Sequence, residues 1–232
     1  MEAVAYAIGW VIVFILSATL HEAAHAWMAK RGGDLTAYAG GQVSLDPLPH
    51  IRREPFGMVI LPILSSMILG WPFGYASAPY DPAWAFKHPR KAAWMAAAGP
   101  VANLILVLIC AASIKLGVLV GVFFEPEFVN FRHIVGASSG GIWFGLSVFI
   151  SMMFTLNLIL FILNLLPLPP LDGSGALALF FKEDLARAYR SFISSPLLSL
   201  IGIFLAWQVF TPLFDLAFPL VMNVLYWGAN YG

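Results

Sequence analysis

The chain has 232 residues, of which 60% are hydrophobic and only 10% are charged. A soluble domain usually carries about a quarter charged residues, so this few cannot cover a soluble surface. The 12 basic and 12 acidic residues balance, which leaves no net positive field to attract a nucleic acid. The single cysteine, Cys110, excludes intramolecular disulfides and cysteine-rich zinc sites. The composition therefore predicts an integral membrane protein.

Five apolar runs follow one another, at residues 4–28, 56–73, 92–122, 141–168 and 196–228. A helix needs about 20 apolar residues to cross a bilayer core of ~30 Å, so these runs predict an all-α protein with several membrane crossings. The run at 56–73 is broken by Pro62 and by its Gly-Trp-Pro end. The last run predicts either one kinked helix or a hairpin, because Pro212 and Pro219 interrupt it.

Polar stretches separate the runs. The first includes residues 37–45, where alternating apolar residues around Gly40-Gly41 predict a small β-hairpin. Residues 74–91 are rich in proline and charge, which indicates a loop. Residues 182–190 are the most charged segment and predict a short surface helix.

The first run contains the sequence His21-Glu22-Ala23-Ala24-His25, which fits the pattern HExxH. Positions i and i+4 share one face of a helix, so the two imidazoles can bind one zinc ion. Glu22 is then directed toward the reacting water and can act as a general base. Chance matches to this pattern occur in soluble proteins, but ionisable groups inside a membrane helix are costly and need partners. The pattern therefore indicates a zinc site.

A catalytic zinc ion needs a third protein ligand and an open fourth position. Asp172 is the favoured third ligand, because it follows a group of prolines that forbids a regular helix after the fourth run. Backbone opened at membrane depth is tolerated only where it lines a cavity or is buried in protein. Taken alone, Asp172 could equally cap a helix beginning at Gly173 and Ser174. The presence of HExxH favours the ligand.

The two motifs together resemble the site-2 protease family of intramembrane zinc metalloproteases. That family pairs HExxH on one membrane helix with an N-x-x-P-x-x-x-x-D-G motif on a later one, matched here by Asn164, Pro167, Asp172 and Gly173. The segment from Gly99-Pro100 to Asn103 is similar to the motif that opens the family's middle core helix. The resemblance covers residues 5–180, which would be the catalytic core.

The resemblance implies a three-helix core that holds one zinc ion per chain. His21, His25 and Asp172 would be its ligands, and Glu22 would be the catalytic base. Asn164 would lie near the scissile peptide. Asn103 would either assist there or only bond a neighbouring helix. Gly99 and Pro100 are expected to serve packing and the start of a helix.

The implied activity is hydrolysis of a peptide bond in or near the transmembrane segment of a membrane-protein substrate. We expect one protease domain over 1–232, of the small form without PDZ or CBS domains, whose partners are its substrate and the bilayer but no nucleic acid. The substrate must be extended, because a helix hides its carbonyls, and the edge of the 37–45 hairpin could receive it.

Two alternatives remain open at this point. One is a zinc-binding membrane protein that does not cleave, although such a protein has no need of Glu22. The other is a metal transporter, although transporters often contain internal repeats and this sequence has none that we detect.

The metal and the basic residues together predict a topology. The histidines lie near the C-terminal end of the first run and Asp172 at the C-terminal end of the fourth, so both ends must face one side. If every run crossed fully, these ends would face opposite sides. A re-entrant or interfacial 56–73 segment solves this, and leaves only Lys115 and Arg132 of the 12 basic residues outside. We therefore predict an outside N-terminus and a zinc site toward the cytoplasmic side, in the plasma membrane of a prokaryote.

Overall fold

The computed structural model describes residues 2–228 and Tyr231, and these residues are largely helical. In chain order the helices are α1 (Glu2–Gly32), α2 (Thr36–Ala39), α3 (Pro47–Arg53), a π-helical turn (Phe56–Ile60) continued by α4 (Leu61–Leu69), α5 (Pro82–Lys87), α6 (Pro89–Leu119), α7 (Ile142–Asn164), α8 (Asp172–Ala176) with a 3-10 turn (Leu177–Phe180), α9 (Glu183–Ile193) and α10 (Pro196–Leu225). Two short strands within the described chain, β1 (Phe123–Phe124) and β2 (Gly136–Ala137), pair antiparallel between α6 and α7. The all-α membrane architecture predicted from the sequence is confirmed.

Three of the long helices, α1, α6 and α7, form the core of the bundle. Of the described helices, these three and α10 are each long and apolar enough to cross a membrane. Buried side chains of all three core helices meet in one cluster, among them Trp10 and Phe14 of α1, Ile114 of α6, and Met152 and Phe154 of α7. The outward faces are apolar and exposed, as contact with lipid requires. The expected three-helix core is confirmed.

The last apolar run forms one helix. α10 continues through Pro212 and Pro219, which a helix in a membrane tolerates when its neighbours and local adjustments satisfy the freed carbonyls. It lies outside the three-helix core and buries a smaller part of its apolar stretch than α7 does. Near its start, Gly202 lies against the Pro169 carbonyl. Of the two alternatives for 196–228, the single helix is correct.

The segment 56–73 enters the bundle as a helix and returns as an extended chain. Its π-helical turn of 5 residues and α4 of 9 residues together reach only about 21 Å at ~1.5 Å per residue. Beyond Gly70 the chain reverses, so that the Tyr75 N–H donates to the Gly57 carbonyl at 3.1 Å. On the way, the Phe73 N–H donates to Ser65 Oγ at 2.7 Å. Both ends of the segment therefore lie at the same end of the bundle, as predicted for a re-entrant or interfacial segment.

The loops on either side of this segment meet at the C-terminal end of α1. The Asp34 carboxylate accepts hydrogen bonds from the Thr36 N–H and hydroxyl at 2.9 and 2.6 Å, and from the Asp81 N–H at 2.8 Å. The Lys91 ammonium donates to the Gly32 carbonyl at 3.0 Å. Burial raises the pKa of Asp34, but its hydrogen bonds outweigh that effect and hold the pKa below its usual value.

The basic residues divide between the two ends of the bundle as the topology prediction requires. Arg132 lies 4.4 Å from the ring centre of Tyr6, near the start of α1, and Lys115 lies 5.3 Å from that of Tyr226, just beyond α10. Basic residues of the other elements lie at the opposite end, where α1 finishes: Lys91 donates to the Gly32 carbonyl, and Lys30 and Arg190 lie over the rings of Tyr38 and Tyr80. The zinc-site motifs are nearer to this second, basic end.

The hairpin predicted over 37–45 is wrong. Helix α2 occupies its first part and ends in a Schellman turn, in which the Gln42 N–H bonds to the Ala37 carbonyl and the Gly41 N–H to the Tyr38 carbonyl. Gly41 has a φ of +73°, the left-handed conformation that such a turn requires. The glycine pair therefore ends a helix. The observed strand pair lies at the other end of the bundle, with Phe123 opposite Ala137.

Candidate metal centre

His21, Glu22 and His25 lie together on the C-terminal half of α1, and all three are buried. Because α1 is continuous here, the two histidines are one turn apart on the same face. Their Nε2 atoms are 3.0 Å apart. One potential metal-binding atom from each of the three residues lies within 4.8 Å of the others. The structure thus brings the residues of the HExxH pattern to one point.

Asp172 reaches the same point from the far end of α7. That helix ends at Asn164, and the prolines of the following segment keep residues 165–171 out of a helix. Asp172 Oδ2 lies 3.0 Å from His21 Nε2 and 3.3 Å from His25 Nε2. Gly173 allows this approach, because a Cβ there would overlap the Leu165 carbonyl. The N-cap of α8 is Leu171, so Asp172 does not take the capping position.

Hydrogen bonds on the far sides of the imidazole rings determine which nitrogen carries the proton. His25 Nδ1 lies 2.7 Å from the Met95 carbonyl oxygen, which can only accept, so Nδ1 is the donor and Nε2 keeps its lone pair. His21 Nδ1 lies 2.6 Å from Asn103 Oδ1 and makes the same kind of bond. Two Nε2 lone pairs and one Asp172 oxygen therefore face one another without a hydrogen between them.

This arrangement fits a zinc ion. Three acceptor atoms at such short separations repel one another unless a cation lies among them. Two imidazole nitrogens and one carboxylate oxygen form a ligand set that catalytic zinc sites use, with a fourth position left for water or substrate. Glu22 has a carboxylate oxygen within 4.8 Å of the two imidazoles, and it lines the adjoining cavity as the three ligands do.

Gly99 has a closer relation to this centre than the sequence indicated. It lies within α6, where a Cβ would overlap His25 Nε2 and lie 2.5 Å from His21 Nε2. A glycine at this position lets α6 pack directly against the two rings. The expectation that Pro100 starts a helix is wrong, since α6 begins eleven positions earlier at Pro89 and contains Pro100 in its interior.

The two asparagines predicted to assist the site have different environments. Asn164 lines the cavity together with the HExxH residues and Asp172. Asn103 is fully buried, its Oδ1 faces His21, and its Nδ2 donates to Asn157 Oδ1 at 2.8 Å. Asn103 therefore bonds to groups of both α1 and α7, and it does not line the cavity. Its bond to neighbouring helices, the other alternative, is what the structure contains.

Asn157 is a site neighbour that the sequence analysis missed. It is fully buried on α7, and its Nδ2 donates to Ser17 Oγ at 2.9 Å and to the Met153 carbonyl at 2.8 Å. A signal was present, because an amide side chain inside an apolar membrane run needs a partner. The sequence contained no indication of which helix supplies that partner.

A cavity of about 820 Å³ opens beside the metal centre. Its wall combines α1, the extended segment 74–80, the start of α6, the end of α7 and the residues around Asp172. The end of α9 and the start of α10, including Arg190 and Ser199, complete it. His50, His88 and His133 do not line this cavity, which agrees with the choice of Asp172 as the third ligand.

Comparison with known proteins identifies the family. The family model described as Peptidase family M50 matches residues 9–209. The chain belongs to this family. The resemblance to the site-2 proteases is therefore confirmed, and with it the zinc cofactor that the ligand set indicates. No solved structure matches the chain.

Curated relatives of this M50 member are named as zinc metalloproteases. The chain is 38% identical over 164 residues to "Putative zinc metalloprotease YwhC" of Bacillus subtilis, an alignment that covers 70% of this chain and 64% of that relative. It is 30% identical over 211 residues to "Putative zinc metalloprotease Rip2" of Mycobacterium tuberculosis, covering 89% of this chain and 71% of the relative. The chain thus spans just under two thirds of the length of the Bacillus protein.

Proposed function

We propose that this protein hydrolyses a peptide bond in or near the transmembrane segment of a membrane-protein substrate. His21, His25 and Asp172 are the zinc ligands in this proposal, and Glu22 is the general base. The observation that carries it is the convergence of three acceptor atoms beside Glu22, in a cavity lined in part by helices that are long enough to span a membrane. The proposed catalytic core is residues 5–180, within one domain that extends over the whole chain.

The residues around the cavity divide the chemistry between them. Zinc, when bound, supplies Lewis acidity to the scissile carbonyl and to the attacking water. The Glu22 carboxylate accepts a proton from that water and delivers it to the leaving amine. Asn164, at the end of α7, donates from its amide to the substrate backbone or to the developing oxyanion. Its position on the cavity wall supports this role.

The substrate binds in an extended form along residues 74–80, which replace the hairpin edge expected at 37–45. This segment has no regular helix and lines the cavity. Among the described residues, its main-chain bonds are one from the Tyr75 N–H and one to the Ser77 carbonyl, so its other groups are available to a substrate strand. Ala76→Pro removes one such donor, and we expect slower cleavage with unchanged zinc content. Unchanged cleavage would argue against this route.

The basic end of the bundle faces the cytoplasm in this proposal, because basic residues concentrate on the inner side of membrane proteins. α1 then starts outside, and the metal centre lies toward the cytoplasmic side of a prokaryotic plasma membrane. The separation of Lys115 and Arg132 from the other basic residues supports this orientation.

Zinc content and cleavage, measured on the same preparations, test the proposal. We expect about one zinc per chain in wild type, most of it lost in Asp172→Ala. Glu22→Gln should keep its zinc but lose cleavage of a reconstituted single-span substrate, because the ligands remain and only the base is removed. Mass spectrometry of the products locates the cut relative to the membrane segment.

Other outcomes of these measurements favour the alternatives. Zinc retained without any cleavage, for a panel of single-span substrates, would favour a non-proteolytic zinc protein. Zinc uptake into proteoliposomes that does not depend on Glu22 would favour a transporter. A wild type without zinc would remove the basis of the whole assignment.

A further inference from the structure

A chain of hydrogen bonds leads from the backbone of α7 to one of the proposed zinc ligands. The Met153 carbonyl accepts from Asn157 Nδ2 at 2.8 Å. Asn157 Oδ1 accepts from Asn103 Nδ2 at 2.8 Å. Asn103 Oδ1 is 2.6 Å from His21 Nδ1. Both asparagines are completely buried, so neither can exchange these partners for bulk water.

The Met153 carbonyl determines which atom donates and which accepts in every bond of this series. A main-chain carbonyl can only accept, so the amide nitrogen of Asn157 must face Met153 and its oxygen must face Asn103. The oxygen in turn requires the Asn103 nitrogen, which turns the Asn103 oxygen toward His21. An oxygen at that place requires the proton of His21 on Nδ1, and therefore leaves the lone pair on Nε2, where Asp172 Oδ2 lies 3.0 Å away.

Ser17 supports the same orientation. Its Oγ accepts the second hydrogen of the Asn157 amide at 2.9 Å, and its hydroxyl points to Met153 Sδ at 3.9 Å. The hydroxyl hydrogen thus has a partner of its own and does not compete with the amide. Every hydrogen of the Asn157 amide is used in holding the side chain in one of its two flipped orientations.

The two histidines reach the same tautomer by different means. His25 Nδ1 bonds directly to a main-chain carbonyl, that of Met95. His21 faces an amide that could rotate by half a turn, and a rotated Asn103 would present its NH₂ group to Nδ1. That would place the proton on Nε2 and block the atom needed for the metal. His21 therefore needs a second residue to hold Asn103.

We propose that Asn157 is a positioning residue, which orients Asn103 through the Met153 carbonyl and thereby fixes the tautomer of His21 that binds the metal. The inference rests on the proposed function, in which His21 is a zinc ligand. Partners behind metal-bound histidines commonly change metal affinity by 10–100-fold. The chemistry asked of Asn157 is orientation alone, since it touches neither the ligand atoms nor the cavity.

Asn157→Leu tests the inference, because leucine nearly matches the volume and removes both polar ends. We expect zinc affinity, measured by competition with a chromophoric chelator in detergent, to fall by about 10–100-fold. The visible spectrum of the cobalt-substituted protein should change as well. Thr155→Val is the matched control: Thr155 is also fully buried on α7, and its hydroxyl has no hydrogen-bond partner in the described chain. It should bind zinc as wild type does.

A second substitution distinguishes orientation from packing. Asn103→Asp introduces a carboxylate, whose two oxygens both accept hydrogen bonds. Either oxygen can therefore face His21 Nδ1, and no rotation of the group presents a donor to it. In the double variant Asn103→Asp/Asn157→Leu, most of the lost zinc affinity should therefore return, although the packing change at 157 is still present. Asn157→Ser is a milder change, whose hydroxyl can donate to the carbonyl and accept from the amide, and its affinity should lie between wild type and Asn157→Leu.

The possible failures can be told apart. Wild-type affinity in both Asn157→Leu and Asn157→Ser would overturn the inference while leaving the zinc site intact. Loss of thermal stability with an unchanged cobalt spectrum, or no recovery in the double variant, would assign Asn157 to packing and also overturn it. If the wild-type protein binds no zinc, or if its zinc is retained in His21→Ala, the proposed function itself fails and this inference fails with it.

Discussion

The methyl group introduced by Gly99→Ala would lie between the two histidines of the metal centre. A Cβ on residue 99 would overlap His25 Nε2 and lie 2.5 Å from His21 Nε2, whereas ordinary contact begins at 3.4 Å. A ring or a helix must therefore move by roughly 1 Å, which is several times the ~0.2 Å within which the ligand distances of a metal site must fall. We expect zinc affinity to fall by about 10–100-fold, the range seen when the groups around metal ligands are changed.

If residue 99 met only open space, Gly99→Ala would leave zinc affinity unchanged and would raise the stability of the protein. Glycine inside a helix costs about 1 kcal/mol relative to alanine, so a harmless substitution would raise the unfolding temperature. Gly145→Ala on α7 provides this control, because a Cβ there would meet nothing within 4 Å. Chelator competition and thermal unfolding with and without zinc measure both quantities. Wild-type zinc affinity in Gly99→Ala would refute the packing of α6 against the histidines.

Two further predictions concern the loops at the basic end. Single cysteines at Leu45 and Lys87 should react with an impermeant thiol reagent from the same side of the membrane, and one at Glu127 from the other; opposite labelling of the first two would contradict the re-entrant segment. Asp34→Asn should destabilise the protein by about 1–3 kcal/mol at neutral pH, because an NH₂ group replaces the oxygen that accepts from Asp81. Since the folded pKa of Asp34 is lowered, this contribution is complete above the unfolded value and disappears as the pH falls below about 4. A difference in unfolding temperature that is independent of pH would exclude this origin.

The membrane topology could be predicted from the number of apolar runs and the positions of the basic residues. The requirement that His21 and Asp172 meet, together with the distribution of basic residues, predicts a re-entrant or interfacial 56–73 segment from the sequence alone. Each apolar run either crosses the bilayer or does not, so the metal ligands and the basic residues constrain the same choice. The structure agrees with this constraint, because the chain turns back after α4 and Tyr75 bonds to Gly57.

The glycines at 40–41 and at 99 show where local patterns are insufficient. A Gly-Gly pair suits a tight hairpin and a Schellman turn equally well, and the choice depends on whether the preceding residues are already helical. Gly99 was expected to serve packing, yet its neighbours are the rings of the metal centre. The residues next to these glycines in the sequence do not predict either environment.

The membrane-spanning helices, the HExxH pair and the carboxylate that follows the broken end of α7 could all be predicted from the sequence. This is because hydrophobic length, i and i+4 spacing and proline are local properties of the chain. Three other features depend on how the helices pack: Asn157 bonds to Asn103, Gly99 lies against the histidines, and residues 74–80 line the cavity. Membrane helices are apolar on every side, so their sequences do not predict which face contacts which neighbour. These contacts depend on how the side chains of the helices pack together.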